Sequence, residues 1–99
     1  MNIDLVEPMV AAEYTRVKEG CHLTHFTEGD IKLIEWFIGK NYHVINKSFL
    51  VTTGLGKIEI EKNRDDYFLI NLNSKRGEYY KCDTAEGLKN LLKVILKKT

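Results

Sequence analysis

The residue types that bind metals are concentrated in one short segment of the chain. In CHLTH, the three candidate zinc ligands Cys21, His22 and His25 fall within five residues. The other candidates, His43 and Cys82, lie elsewhere in the sequence. Thiolates and neutral imidazoles are the ligands of structural zinc sites. However, the segment has no Cys-x-x-Cys pair and no His-x-x-x-His spacing. Without such spacings, histidines near a loop are more often simple polar residues than metal ligands. We therefore predict no bound metal and no cofactor.

The segment GLGK at residues 54–57 has the glycines and the lysine of a phosphate-binding loop but not their spacing. It leads into a predicted strand, so the helical N–H groups that would bind phosphate are missing. Catalytic residues are equally hard to pair. Ser48 and Ser74 have no adjacent base, and the aspartates at 65–66 fall in a turn, where they are favoured for bonding to the backbone. We therefore predict that the protein is not an enzyme and has no catalytic residues.

A third segment, KRGEYYKC at residues 75–82, combines basic residues, two tyrosines and the thiol of Cys82. Aromatic side chains interleaved with basic ones can stack on bases while the cations contact phosphates. A thiol can react only where solvent reaches it. Whether this segment binds nucleic acid, carries a reactive thiol or is an ordinary hairpin depends on the elements that position it.

The first of these elements is a predicted helix over residues 8–19. Pro8 suits the first turn of a helix, where its missing N–H is not needed, and Gly20 can terminate the helix. The segment that follows, CHLTHF, has no regular period and is predicted to be irregular.

We predict a second helix over residues 28–39. Thr27 and Asp30 have the spacing of a capping box, and Gly39 or Asn41 can supply a left-handed residue at the C-terminus. Its apolar residues cover more than one face of the helix: Ile31, Leu33, Ile34, Trp36, Phe37 and Ile38. Such a helix either lies between two layers or leaves an apolar surface for a partner.

From residue 42 onward the apolar residues recur at every second position, which is the period of a β-strand. We predict four strands over residues 42–52, 57–62, 66–73 and 78–82. The turns between them are short, so sequential strands should pair as an antiparallel meander. The side chains predicted on the inner face are Phe49, Val51, Ile58, Ile60, Phe68, Ile70, Leu72, Tyr80 and Cys82.

The register of the last hairpin decides the fate of Cys82. A three-residue loop at residues 75–77 places Ile70 opposite Cys82 and directs Lys81 to the other face. A loop of four residues would instead turn Lys81 toward the core, where its desolvation is costly. We therefore predict that Cys82 is a buried and unreactive thiol.

The chain ends in a predicted amphipathic helix over residues 84–98, with Asp83 as its N-cap. One stripe of this helix should pack on the inner face of the sheet: Leu88, Leu91, Leu92, Ile95 and Leu96. Lys89, Lys93 and Lys97 form a second row, which is typical of a solvated face and favourable to the helix dipole. The predicted fold is thus α+β, a four-stranded antiparallel meander with two helices before it and one packed on its face, in a single domain of residues 1–99.

The outer face of this sheet is the surface that could bind single-stranded nucleic acid. Its candidate residues are Tyr67, Tyr79 and Lys81, with Lys75 and Arg76 in the adjoining turn. The order of four strands followed by a helix resembles that of the whirly and positive-cofactor folds, and this resemblance implies binding of single strands by the sheet. Glu59 and Glu61 are predicted on the same face, where their carboxylates would repel phosphate.

The overall charge argues against nucleic acid as the main partner. The chain has 15 basic and 14 acidic residues, a net charge of +1, whereas nucleic-acid domains usually have a clear basic excess. No apolar run is long enough to cross a membrane. The first residues, MNIDLVEPMV, are acidic where a secretory signal is positively charged, so we expect a cytoplasmic protein whose two cysteines are reduced.

The remaining hypothesis is interaction with a protein. Leu33, Trp36 and Phe37 are the residues that we predict to contact it, because large apolar and aromatic side chains dominate binding hot spots. The competing interpretation places Trp36 in the core. We favour a small non-enzymatic protein-binding module whose partner is a second copy or a bacterial host protein that it inhibits or modulates. The asparagine- and lysine-rich composition suits an AT-rich phage or mobile element as its source. Single-stranded nucleic acid is the alternative partner.

Overall fold

The computed structural model describes residues 6–40, 42–45, 47–53, 56–73 and 78–96. Within these ranges the fold is α+β, with three helices and one antiparallel sheet of seven strands. The strands are β1 (Val6–Met9), β2 (Leu23–Thr24), β3 (Tyr42–Ile45), β4 (Ser48–Thr53), β5 (Gly56–Asn63), β6 (Phe68–Asn73) and β7 (Glu78–Cys82). The helices are α1 (Ala11–Glu19), α2 (Glu28–Ile38) and α3 (Ala85–Leu96). None of these helices is long and apolar enough to cross a membrane.

The strands lie in the order β1-β7-β6-β5-β4-β3, and every neighbouring pair is antiparallel. The short strand β2 pairs with the end of β5 beyond the start of β4, where Leu23 lies opposite Asn63. The predicted meander is therefore confirmed from β4 to β7, but the sheet has more strands than the sequence predicted. β2 falls in the segment predicted to be irregular, because a two-residue strand has no period of its own.

The prediction that the first helix includes Pro8 is wrong. Residues 6–9 form the edge strand β1, in which Pro8 lies opposite Tyr80 of β7, and the helix begins only at Ala11. Proline is tolerated in an edge strand because one side of the strand has no neighbour to receive an N–H. The same missing N–H that suits a first helical turn therefore also suits this position.

The prediction of one strand over residues 42–52 is also wrong. Ile45 of β3 lies opposite Ser48 of β4, so a hairpin with a two-residue connection replaces the continuous strand. Lys47 has a φ of 70°, a left-handed conformation that two-residue hairpin turns require. The alternation of apolar residues continues through this turn, and for that reason the period alone did not locate it.

The hairpin of β6 and β7 has the predicted faces but not the predicted register. Ile70 lies opposite Tyr80 and Phe68 lies opposite Cys82, a shift of two residues. An even shift keeps each side chain on its face, so the prediction of a buried Cys82 is confirmed. Burial raises the pKa of its thiol to about 12. The predicted loop at residues 75–77 lies outside the described residues.

Helices α2 and α3 cover the inner face of the sheet and close the apolar core. The capping box of α2 is confirmed, since Asp30 N donates to Thr27 Oγ1 at 3.2 Å and Thr27 N donates to Asp30 Oδ2 at 3.0 Å. Gly39 has a positive φ of 71°, but its ψ of −155° lies outside the left-handed helical conformation that was predicted. Asn41 lies outside the described residues. The fully buried side chains include Phe49, Phe68, Ile34, Ile58, Ile60, Ile70, Leu88 and Leu92.

The start of α3 differs from the prediction by one residue. Gly87 N donates to Thr84 Oγ1 at 3.0 Å, so Thr84 rather than Asp83 caps the helix. Its apolar stripe is buried as predicted through Leu88, Leu91 and Leu92. Residues 97–99, which include the predicted end of this helix, lie outside the described residues.

Helix α1 forms a third layer on the outer face of the sheet. Its Tyr14 is buried and packs against Tyr79 of β7, with 4.6 Å between the ring centroids and 33° between the ring planes. One turn later, Lys18 Nζ lies 2.7 Å from Glu59 Oε1 and 3.0 Å from Glu61 Oε1 on β5. The predicted open outer face is therefore wrong, because α1 folds back onto it.

Candidate functional site

A groove of about 550 Å³ lies between α2 and α3. It is lined by Lys32, Leu33, Trp36, Phe37, Lys89 and Lys93. These residues form three pairs spaced by four along their helices, and residues four apart lie one above the other on a helical surface. On α3, Lys89 and Lys93 line the groove. On α2, one pair consists of Leu33 and Phe37 and the other of Lys32 and Trp36.

The floor of the groove is apolar and continuous with the core. Phe37 is buried, Leu33 is half-buried, and Trp36 leaves 57% of its surface exposed. The rings of Trp36 and Phe37 meet edge to face, with 4.7 Å between their centroids and 81° between their planes. This geometry is favourable for aromatic pairs, so the buried ring of Phe37 supports the exposed ring of Trp36.

The structure thus brings together the three residues predicted to contact a protein, but it gives them different roles. Phe37 belongs mainly to the core, whereas Trp36 presents its ring at the surface. The competing interpretation, that Trp36 fills the core, is wrong. An exposed tryptophan beside a concave apolar floor is the type of residue that anchors protein interfaces.

Sequence analysis missed the lysines of the groove as site residues. Lys89 and Lys93 were predicted to belong to a solvated row, and no role was predicted for Lys32. Among the described residues, none of the three makes an ion pair. The signal that could have found them is the spacing of four, which places Lys32 beside Trp36 on α2 and Lys89 beside Lys93 on α3.

An ion pair between Asp30 and Lys62 fixes the start of α2 on the sheet. Lys62 Nζ lies 2.6 Å from Asp30 Oδ2, and both side chains are buried. Burial by itself would raise the pKa of Asp30, but the hydrogen bonds from Lys62 and Thr27 outweigh it and hold that pKa below its usual value. Asp30 is therefore charged at neutral pH, and it serves α2 both as a cap and as an anchor.

A second polar contact holds the later turns of α2. Tyr42 Oη of β3 donates to Glu35 Oε2 at 2.6 Å. Between the two polar contacts, Ile34 is fully buried in the core. Since both ends of α2 are tied to the sheet, the wall of the groove that carries Leu33 and Trp36 has a fixed position.

The residues predicted to bind nucleic acid form a different arrangement. Tyr79 packs against Tyr14 beneath α1, and Lys81 Nζ lies 4.7 Å from the ring centroid of Tyr67. Lys81 also lies 3.6 Å from Asp83 Oδ1, which offsets its charge. Tyr14 therefore covers one side of the Tyr79 ring, and that side is not open to a base. Lys75 and Arg76 lie outside the described residues.

The acidic residues of the outer face are also placed differently from the prediction. Glu61 was expected to face solvent, but only 2% of its surface is exposed. It accepts a hydrogen bond from Ser48 Oγ at 2.9 Å and pairs with Lys18. Burial would lower the pKa of Lys18, but hydrogen bonds to Glu59 and Glu61 raise it above its usual value.

The candidate metal ligands of the sequence do not form a cluster. Among the described residues, no group of three or more histidine, cysteine or acidic side chains is arranged to hold a metal ion. Cys21 Sγ instead accepts a hydrogen bond from Asn63 Nδ2 at 2.9 Å, and Cys82 lies in the core.

Comparison with protein-family models, with curated proteins and with solved structures finds no match to this chain. The resemblance to the whirly and positive-cofactor folds, which depended on the order of four strands, gains no support from these comparisons. The assignment of a function therefore depends on the geometry and the charges of the groove.

Proposed function

We propose that the protein is a non-enzymatic binding module that holds an acidic, amphipathic segment of another protein in the groove between α2 and α3. The observation that carries this proposal is the exposed ring of Trp36 on an apolar floor bordered by Lys32, Lys89 and Lys93. Apolar surface favours burial against apolar side chains, and the lysines favour carboxylates beside them. A segment with both apolar and acidic side chains can contact the apolar floor and the lysines at the same time.

The size of the groove limits what part of a partner can enter it. Ligand pockets hold about 300–1,000 Å³, and the volume of about 550 Å³ lies within that range. It has room for a few side chains rather than for a whole domain face. A partner helix with apolar side chains at positions i and i+4 matches the spacing of Leu33 and Phe37 on α2.

The charge of the groove also defines which partners it excludes. A basic segment would bring like charges next to three lysines, and like charges at an interface cost binding free energy. The partner segment should therefore be acidic and not merely apolar. A module of this kind acts by occupying a segment of its target, and we propose an inhibitor or modulator of a bacterial host protein, encoded by a phage or mobile element, as its role.

The single tryptophan of the chain makes the test direct. The probe is a synthetic amphipathic peptide with leucines at positions i and i+4 and glutamates beside them. We expect its binding to shift the fluorescence of Trp36, because the ring loses contact with water. The control peptide has lysines in place of the glutamates and should bind at least about tenfold more weakly.

Two charge reversals separate the groove from general attraction to acidic peptides. Lys93→Glu should weaken binding of the acidic peptide at least about tenfold, whereas Lys57→Glu, an equal change at an exposed lysine on the outer face of the sheet, should leave it unchanged. Equal affinity for the two peptides, or equal effects of the two reversals, would show that the groove does not select acidic segments.

A further inference from the structure

The two edges of the sheet differ in their capacity to accept another strand. At one edge, β1 carries Pro8 and Glu7, and residues of these types blunt an edge against pairing. At the other edge, β3 has the sequence YHVI, without a proline, lysine or acidic residue. Val44 and Ile45 of β3 leave 55% and 54% of their surfaces exposed. Among the described residues, no strand pairs with the outer side of β3.

The hairpin of β3 and β4 determines which backbone groups point away from the sheet. Ile45 and Ser48 flank a two-residue connection, and such flanking residues form a hydrogen-bonded pair. Hydrogen-bonded pairs alternate along an antiparallel ladder, so His43 also bonds to β4 through Leu50. The N–H and C=O groups of Tyr42 and Val44 therefore point outward.

We propose that this edge binds a second copy of the chain, with the two β3 strands antiparallel across a twofold axis. Successive side chains of a strand point to opposite faces of the sheet. If the two inner faces are to lie on the same side of the joined sheet, each inner-face residue of one β3 must therefore lie opposite an inner-face residue of the other. Within β3, only one such register gives every outward residue a partner with outward groups. It places Tyr42 opposite Val44 of the second copy as a hydrogen-bonded pair, and the twofold axis generates an identical pair between Val44 and Tyr42 of the second copy. His43 then lies opposite His43 of the second copy, at the axis.

The side chains are compatible with this register. Tyr42 and Val44 lie on the inner face, opposite Val51 and Phe49 of β4, and aromatic side chains pair favourably with β-branched ones across strands. His43 lies on the outer face of the sheet, opposite Leu50. Two strands of this length bury much less than the roughly 1,200 Å² of a stable interface, so the dimer should be weak and should dissociate on dilution.

The position of His43 on the axis gives a test that is specific to this register. Like charges directly opposite one another in a ladder are unfavourable, and opposite charges are favourable. His43→Glu and His43→Lys should each weaken the dimer, and an equal mixture of the two variants should form a heterodimer several-fold tighter than either homodimer. Sedimentation equilibrium over protein concentrations of about 10 µM to 1 mM measures all three samples and the wild type.

A matched pair of substitutions tests the edge independently of the register. Val44→Lys puts a charge on the proposed interface, whereas Val94→Lys makes the same change on α3, at a valine that is 69% exposed. We expect only Val44→Lys to shift the wild-type dimer to monomer, with circular dichroism confirming that both variants are folded. Equal effects of the two substitutions would overturn the proposal.

A measurement on the wild type covers the case in which a variant does not fold. The amide hydrogens of Tyr42 and Val44 should exchange more slowly as the protein concentration rises, because the second copy would give their outward N–H groups carbonyl acceptors in place of water. A protein that remains monomeric across the concentration range, or a mixture no more dimeric than its two components, would overturn the proposed pairing.

Discussion

The two faces of the sheet are both covered, but by different kinds of contact. On the inner face, α2 and α3 bury an apolar core that includes Phe49, Ile60 and Leu92. On the outer face, α1 is held by the contact between the rings of Tyr14 and Tyr79 and by charged side chains. Apolar burial gives most of the stability of a fold, whereas partly exposed ion pairs give little. The inner face therefore stabilises the molecule, and the outer layer is the weaker attachment.

The largest expected loss of stability comes from replacing one buried aromatic side chain on each face by alanine. Phe49→Ala removes a ring that contacts Phe26 and Tyr42, with centroids 4.5 Å and 4.6 Å away. We expect a loss of about 3–5 kcal/mol in the free energy of unfolding, because the vacated volume cannot be refilled. Tyr14→Ala, the counterpart on the outer face, should cost less. Urea unfolding measures both, and equal losses would show that the two faces stabilise the fold equally.

The pattern of apolar residues explains which parts of this comparison sequence analysis could predict. The inner face follows from local rules: alternation in β5 and β6, the capping box of α2, and the leucine stripe of α3. Each of these signals is contained in a few consecutive residues. The sequence therefore predicted the inner core and the position of Cys82 correctly, even though the hairpin register was wrong by two residues.

The outer layer could not be predicted in the same way, because nothing local tells a helix which face of a sheet it will cover. One signal was nevertheless present. The run YFLI at residues 67–70 is apolar at consecutive positions, a pattern of strands that are buried on both faces. Leu69, which points to the outer face, is indeed fully buried. The groove needed the same long-range information, since its two walls are more than fifty residues apart.

An intermediate effect is expected from the buried ion pair of Asp30 and Lys62 on the inner face. Lys62→Met leaves Asp30 charged and buried without its cation, and breaking such a pair costs about 3 kcal/mol. The double variant Asp30→Asn, Lys62→Met should recover part of that loss, because it removes the uncompensated charge. Urea unfolding of the three variants gives the coupling free energy, and additive losses would contradict a direct interaction.

The same pair predicts how stability depends on pH. The pKa of Asp30 is lowered in the folded protein, so the unfolded chain binds its proton more readily as the pH falls. The contribution of Asp30 is present above its unfolded pKa of about 3.9 and is lost as the pH falls through the folded value. Asp30→Asn should therefore flatten the decline of stability below about pH 4. An unchanged acid limb in the variant would show that other carboxylates cause the decline.

The smallest effect is expected on the outer face, where Lys18 joins α1 to β5. Lys18→Met should cost about 1–2 kcal/mol, less than Lys62→Met, because the side chain of Lys18 is partly exposed and screened by water, although one of its two partners, Glu61, is buried. Salt separates this pair from the buried one. A concentration of about 1 M NaCl should reduce the loss in Lys18→Met by a larger fraction than the loss in Lys62→Met, because Lys18 is partly exposed and a fully buried pair is screened much less. If salt reduced both losses equally, the charges on the two faces would be equally accessible to water. The outer layer would then not be the weaker attachment that its partly exposed ion pairs indicate.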